Sequence, residues 1–399
     1  MIVSYFTVTS QDSNARTGKL VTPHGDVETP AYLPVATHAV VKALSSDDLL
    51  QSGVQALIAN TYHLHLQPGE TLIARLGGLH QFMRWPRPLI TDSGGFQALS
   101  LGAAKDHGVG KIASTTDLPV SESSSPKSTA RGFVEIHEPG IAFTSHLDGT
   151  SCLFSPEAAI AMQRKLGADV ILVLDECTSP AHGYGYTRSS LERTHRWAMR
   201  ALTAFQNSPA NGQALWAVVQ GGVFEDLRRR SASFLAEQPF DGFAIGGALG
   251  STKKELPEIA AWTVPFLPVN KPRHLLGMGE IEDVFAGVHA GIDAFDCILP
   301  TLLARTGTFL LKTAPRYRIH ILNAQFRDDP RPIDEDCFCP ACTGYSRAYL
   351  RHLFAAREPL GVRLAGIHNI FFMESLMREI RRSIQEKRFE ALYKEWMDT

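Results

Sequence analysis

Six cysteines and a scatter of aspartates are where the chemistry of this chain has to be sought. Three of the cysteines, Cys337, Cys339 and Cys342, stand at C-x-C-x-x-C spacing, which brings three thiolates close together. His368, 26 positions beyond Cys342, is placed to supply a fourth donor. Zinc prefers four soft or borderline donors in a tetrahedron, and a Cys₃His set leaves no open position for a substrate. Three reduced core cysteines with an unrelated histidine are the plainer alternative, but so tight a thiol cluster reads better as a metal site. A closed site holds a loop-rich segment in place, so catalysis belongs elsewhere in the chain.

Two aspartates have the right company for it. Asp92 opens the run Asp92-Ser93-Gly94-Gly95-Phe96-Gln97, and Asp296 sits in Phe295-Asp296-Cys297. Two carboxylates across a pocket can split a glycosidic bond, one as nucleophile and the other moving protons. A lone aspartate at a strand end is as often a helix cap. The adjacent glycines shift the balance, because Gly94-Gly95 and Gly246-Gly247 let backbone approach a ligand closely. Phe96 offers a face for a flat ring. Asp175 and Gln220 offer an acceptor and an amide, a complementary pair for the edge of a guanine-like base.

These residues must be positioned by the elements around them. Short apolar runs recur at Ala31–Val35, Ala56–Asn60, Leu89–Asp92, Val170–Asp175, Leu215–Gln220, Gly242–Gly247, His274–Gly279 and Ala294–Cys297, most ending in polar or glycine-rich residues. Helical spacing lies between most of them, at Ser46–Gln51, Pro156–Leu166, Leu191–Phe205, Phe224–Leu235, Leu256–Phe266 and Ile281–Ala290. Ser155 before Pro156 is an N-cap followed by proline at the first helical position. Eight buried strands alternating with helices predict an α/β fold, a (β/α)₈ TIM-type barrel with a zinc-binding subdomain near the C-terminus. An open doubly wound sheet is the alternative, but no G-x-G-x-x-G turn follows the first strand. Barrel sites lie at the carboxyl ends of the strands, so Asp92, Asp175, Gln220, Gly247 and Asp296 should share one mouth.

The expected organisation is an N-terminal cap over residues 1–30, a barrel over 31–301 with a long insert at about 102–150, the zinc subdomain over 302–368, and a C-terminal helix over 369–399. The insert contains a polar stretch over 102–131 and then a hairpin over 132–146. At 399 residues, 44% hydrophobic and 20% charged, the composition is that of a soluble globular chain. Neither a membrane-length apolar run nor a secretory leader is apparent, and clustered cysteines fit a reducing compartment, so a cytoplasmic location is expected. A net charge of −2 gives no overall sign of a nucleic-acid partner. From residue 302 onward, however, 16 Lys/Arg stand against 12 Asp/Glu, a local excess of four positive charges.

Taken together the motifs resemble the tRNA-guanine transglycosylase family, also called queuine tRNA-ribosyltransferase. The resemblance runs from Thr29-Pro30 and Asn60-Thr61-Tyr62-His63-Leu64 through Asp92–Gln97, Asp175-Glu176-Cys177, Gln220-Gly221-Gly222 and Phe295–Thr301 to the Cys₃His set. It implies a barrel with a zinc-bearing subdomain, and exchange of the wobble guanine of certain tRNAs for a 7-deazaguanine. It implies Asp296 as nucleophile toward the ribose and Asp92 as general acid/base. Ser93, Gly94, Gly95, Phe96, Asp175, Gln220 and the backbone of Gly247 would then bind the base. Gly277, Met278, Gly279, Glu280, Ile281, Glu282 and Asp283, with Thr301, Leu302, Leu303, Ala304 and Arg305, would contact tRNA. One zinc per chain on Cys337, Cys339, Cys342 and His368, and a homodimer, are implied as well.

The sequence departs from the family pattern in three places. Pro300-Thr301-Leu302-Leu303-Ala304-Arg305 has leucine where the family has an arginine after Pro-Thr. The loop Gly246-Gly247-Ala248-Leu249-Gly250-Ser251 is one residue shorter than usual and lacks an acid after the glycine. That tips the expected incoming base toward queuine over the aminomethyl precursor. The insert over 102–131 is longer than the usual connection. A non-catalytic partner subunit and a DNA-directed transglycosylase are the alternatives; both aspartates and the metal ligands being present argues against the first.

Overall fold

A computed structural model describes residues 5–99, 134–179, 182–209, 211–247 and 256–398. The polar insert over 102–131, the loop Ala248–Ser251 and Glu255 lie outside the described residues.

Three antiparallel strands come first: β1 (Phe6–Asp12), β2 (Ala15–Thr22) and β3 (Gly25–Thr29). Their apolar faces, including Phe6, Leu20 and Val27, are buried against the barrel. The Arg16 guanidinium anchors this sheet from below. It donates to the Asp293 carboxylate and to the carbonyls of Val269 and Lys271, at 2.8, 2.7 and 2.9 Å.

Eight parallel strands then close a barrel in chain order. They are β4 (Ala31–Ala36), β5 (Leu57–Asn60), β6 (Leu89–Asp92), β10 (Val170–Leu172), β11 (Ala214–Val219), β12 (Gly242–Ile245), β13 (Arg273–Leu275) and β14 (Ala294–Cys297), with β14 pairing back onto β4. Every residue of β5, β10, β11, β12 and β13 is buried, as expected of strands covered on both faces. Register sets Asn60 beside Asp92, and Phe295 beside Leu275 and Tyr32.

The helices begin where their capping residues allow. Ser155 accepts from the Ala158 N–H at 3.1 Å before the helix Pro156–Leu166, and Gly167 ends it at φ +74°. The helix starting at Leu191 in the periodicity extends back to Tyr184, so it spans Tyr184–Gln206. Where a hairpin is expected after the insert, three antiparallel strands form: β7 (Val134–His137), β8 (Gly140–Thr144) and β9 (Ser151–Phe154). Their aromatic face, Phe143 and Phe154, packs with Tyr62 and Trp197 beside the barrel mouth.

After β14 come a short helix (Leu299–Arg305) and a two-stranded sheet, β15 (Thr308–Leu310) and β16 (Arg318–His320). The closing helix differs from the expected run beginning at Asn369. It starts at Pro359, stops at Gln385, and a separate helix covers Phe389–Met397. Gly361 and Gly366 hid the first turns, because glycine argues against helix interior. Here they permit close packing: an added Cβ would sit 3.1 Å from Leu353 and 3.2 Å from Leu44. Lys387 at φ +58° supplies the break. Asn369 ties the long helix inward, accepting from the Leu310 N–H and donating to the Pro300 and Thr308 carbonyls at 2.8, 2.9 and 3.0 Å.

Candidate active site

Asp92 ends β6 and is held by four donors. The Thr61 and Gly94 N–H groups donate to Oδ1 at 3.0 and 3.1 Å, while Asn60 Nδ2 and Gln97 Nε2 donate to Oδ2 at 2.5 and 3.0 Å. The placement follows from sequence. Asn60 is at once the register partner of Asp92 and the N-cap of the helix Thr61–Leu66, its own oxygen accepting from His63 N–H at 3.2 Å. Gly94 turns at φ +81°, and a Cβ there would collide with Phe154 and Tyr62 at 2.8 Å. Burial pushes the Asp92 carboxyl up to about 7; the Thr61 N–H pulls the other way, and the negative charge of Asp296 adds to the rise. Asp92 can therefore give or take a proton near neutral pH.

Asp296 reaches the same mouth from β14. Its Oδ1 accepts from His274 Nε2 at 2.8 Å and from the Gly277 N–H at 3.1 Å. Asp175 and Gln220 meet on the adjoining wall, Gln220 Nε2 donating to Asp175 Oδ2 at 2.6 Å. That bond leaves Gln220 Oε1 buried without a partner among the described residues. Burial raises the Asp175 carboxyl to about 6, against the lowering effect of the Gln220 bond. Gly246 and Gly247 press on this amide: a Cβ on either would lie 2.6 Å from it. Ser93 is buried beneath the Gly94-Gly95 turn and accepts from the Gly95 N–H at 3.4 Å. Phe96 is 46% exposed, leaving its ring open to solvent at the mouth.

The Cys₃His set also comes together. His368 Nδ1 lies 3.8, 3.6 and 3.3 Å from the sulfurs of Cys337, Cys339 and Cys342. Zinc with sulfur at about 2.3 Å and nitrogen at about 2.0 Å in a tetrahedron needs S–N edges of roughly 3.5 Å, so the donors fit. His368 Nε2 donates to the Leu310 carbonyl at 2.7 Å, which turns Nδ1 toward the sulfurs. These four side chains form a candidate metal-binding cluster. A second group, His24, His80 and Asp169, lies at the opposite end of the barrel, where Asp169 accepts from the Leu89 N–H as β6 begins. The two imidazoles stack at 3.5 Å with 16° between their planes. Ring nitrogens bind in the ring plane, so parallel rings cannot both aim at one ion between them. That group reads as a clamp on a buried carboxylate.

The sequence matches the family model described as "TGT: Queuine tRNA-ribosyltransferase" over residues 11–121 and 104–399. Similar proteins include the queuine tRNA-ribosyltransferase of Roseiflexus sp. (strain RS-1), 45% identical over 397 residues and 96% of each chain. A putative queuine tRNA-ribosyltransferase of Archaeoglobus fulgidus is also 45% identical, over 391 residues and 96% of each chain. That of Herpetosiphon aurantiacus is 43% identical over 393 residues, covering 98% of this chain and 91% of its own.

The chain belongs to the queuine tRNA-ribosyltransferase family.

In this family member the two stretches expected to face RNA are only partly at the surface. Met278, Gly279, Ile281, Asp283, Thr301 and Ala304 are buried, whereas Gly277, Glu282, Leu302 and Arg305 are exposed and Glu280 and Leu303 half-buried. Any side-chain contact from these stretches therefore falls to the second group. The motifs did not reveal Arg228. Its guanidinium is fully buried and donates to four carbonyls, those of Val219, Gly222, Gly246 and Gly247, at 3.2, 2.7, 2.7 and 2.7 Å. In the sequence it is one of three consecutive arginines, Arg228-Arg229-Arg230, and nothing in the spacing of the helix Glu225–Ala236 sets it apart. Glu176, similarly, is a buried anchor, accepting from the Tyr186 hydroxyl at 2.8 Å and paired with Arg193. His274 was read only as the first residue of a strand.

Proposed function

We propose that this chain exchanges the wobble guanine of GUN-anticodon tRNAs for a free 7-deazaguanine through a covalent aspartyl–ribose intermediate. Its family makes it a tRNA-guanine transglycosylase, a pentosyltransferase of queuosine modification. The observation that carries the residue-level reading is the pair of strand-end carboxylates, with Asp92 held near 7 by burial and by the charge of Asp296.

In this reading Asp296 attacks the ribose anomeric carbon and guanine leaves with the bonding pair, taking up the proton of Asp92. Asp92 then removes the proton from the attacking nitrogen of the incoming base, a task suited to a carboxyl titrating near the working pH. The wobble base must leave its stack to enter the mouth. Phe96 would stack on it, and Ser93, Gly94 and Gly95 would pass along its plane. Asp175, the unpartnered Gln220 oxygen and the Gly247 N–H would read its edge. Gly277, Glu282, Leu302 and Arg305 are the exposed candidates for tRNA contact. Zinc, held by Cys337, Cys339, Cys342 and His368, would lock the segment after the barrel onto the long helix and take no part in the reaction.

Queuine is favoured as incoming base, because the shortened Ala248–Ser251 loop offers no adjacent carboxylate for an aminomethyl group. Losing one charge-assisted contact costs roughly 1.5–3 kcal/mol, about tenfold or more in discrimination. A homodimer in the cytoplasm, where tRNA is available, completes the reading; among the described residues no helix is long and apolar enough to cross a membrane. The test is a denaturing gel of enzyme with cognate tRNA. Wild type should give a covalent protein–tRNA band and Asp296→Asn none. An undiminished band in that variant refutes the assignment.

A further inference from the structure

We infer that His274 is a positioning residue for the nucleophile: by donating to Asp296 Oδ1 it reserves Oδ2 for the ribose and steadies the carboxylate when it leaves. The inference rests on reading Asp296 as the nucleophile. His274 is fully buried on β13, and its Nε2 lies 2.8 Å from Asp296 Oδ1. A carboxylate oxygen only accepts, so Nε2 carries the hydrogen. The Gly277 N–H reaches the same oxygen at 3.1 Å, and among the described residues no donor reaches Oδ2. The two carboxylate oxygens are thus unequal: one is tied down twice and the other is left for chemistry.

The other nitrogen of the ring supports the argument from the opposite side. His274 Nδ1 is buried without a partner among the described residues. Burying a polar atom unsatisfied is costly, and an apolar side chain in the same barrel layer would avoid that cost. The contact made by Nε2 is what sets this residue apart from an ordinary core residue. The ring is held edge-on to Trp216, centroids 6.1 Å apart and planes at 81°, so its direction is fixed by packing.

The chemistry indicates which step depends on it. In the first step an Oδ2 electron pair bonds the anomeric carbon, the bond to the guanine nitrogen breaks, and guanine departs with that pair and the proton that Asp92 gives up, which leaves Asp92 ionised for the second step. Asp296 is now an ester whose carbonyl oxygen is Oδ1. In the second step the deprotonated nitrogen of the incoming base bonds the same carbon, and the Oδ2–carbon pair returns to Asp296. Negative charge reappears on the carboxylate in that second step, and part of it lands on Oδ1, where the imidazole N–H already points. A preorganised donor aimed at developing charge acts on the transition state. His274 therefore helps discharge of the adduct more than its formation.

The experiment traps the wild-type covalent tRNA adduct and follows its discharge by added guanine, alongside His274→Gln, which keeps a donor of similar reach, and His274→Met, which has none. Discharge should slow roughly 10- to 100-fold in His274→Met and far less in His274→Gln. Losing a donor to the carboxylate disfavours its charged form, so the acid limb of kcat/KM should move to higher pH in His274→Met alone. Should that variant fail to fold, His274→Asn, too short to reach Oδ1, must show the same slow discharge. Both variants discharging like wild type, or both slowed equally with an unmoved acid limb, would mean the ring only fills space, and the inference falls. A wild type that forms no adduct removes the nucleophile assignment itself.

Discussion

Replacing Asp92 with asparagine should make the folded chain more stable, and only at neutral and alkaline pH. Burial and Asp296 raise this carboxyl from an ordinary 3.8 to about 7. Each tenfold change in proton affinity is about 1.4 kcal/mol, so the ionised group carries a cost of at most about 4 kcal/mol in the native state. Between about pH 4 and pH 7 the folded chain holds a proton that the unfolded chain has released, so stability falls as pH rises, and the full cost is present above about pH 7. Asparagine removes the charge but brings an amide to face two amide donors, Asn60 Nδ2 and Gln97 Nε2. Gln97 can flip, because its oxygen is buried without a partner among the described residues. Asn60 cannot flip freely, since its oxygen caps the next helix. One poor contact costs about 1 kcal/mol, leaving a gain of about 3 kcal/mol. With an unfolding entropy of about 2 cal/mol/K per residue, 399 residues turn that into an increase of about 4 °C in Tm. Thermal scans of wild type and Asp92→Asn at pH 4.5 and 8.5 measure it. The variant should be about 4 °C more stable at pH 8.5 and no more stable at pH 4.5. A difference that does not change with pH would refute the raised carboxyl. The same variant should fail to turn over, because asparagine can neither give the proton to departing guanine nor take one from the incoming base.

Other substitutions probe the remaining walls. Gly247→Ala places a Cβ 2.6 Å from Gln220 Oε1 on a backbone at φ +56°, so the KM for guanine should rise at least about tenfold, while tRNA affinity in a gel shift, which also draws on contacts outside the mouth, should fall less. Cys339→Ser should lose its zinc by elemental analysis and expose the segment after the barrel to limited proteolysis, while the barrel persists; full zinc content would dismiss the site. Queuine should show the higher kcat/KM with the same tRNA, and a tenfold preference for the aminomethyl base would show that the short loop does not set the choice.

Much of the barrel was legible because parallel strands buried on both faces read as short apolar runs. All eight runs proposed from sequence became strands, with ends shifted by at most a few residues. The runs for β10 and β13 were overextended: Val173-Leu174-Asp175 and Leu276–Gly279 are apolar enough to pass for strand, but they continue as loop that presents Asp175 and the Gly277 N–H. Hydrophobicity reports burial, and the loops lining a closed mouth are buried too. The N-terminal sheet was less legible, because its strands are rich in polar residues and their apolar residues are explained only by the barrel end they cover.

The candidate site was legible as a set of residue types and much less so as a set of supports. Asp92, Gln220 and Gly247 stand in runs whose glycines advertise close approach, and Asp175 and Asp296 stand at the ends of apolar runs. Arg228 does not, because nothing in a helical pattern distinguishes an arginine that faces solvent from one that faces the barrel. Its role emerges from where its five donors go. A guanidinium with no carboxylate partner among the described residues is expensive to bury, and burial lowers its pKa to about 10. Carbonyls from both the loop after β11 and the loop after β12 offset that cost. The Gly246 carbonyl belongs to the same peptide unit as the Gly247 N–H, so a cation on that oxygen polarises the N–H expected to meet the base. The glycines grant the backbone its unusual path, and the buried arginine holds it there. A loop that must stay fixed without side chains of its own has to be held through its carbonyls, and a guanidinium, with donors spread in a plane, can hold several at once.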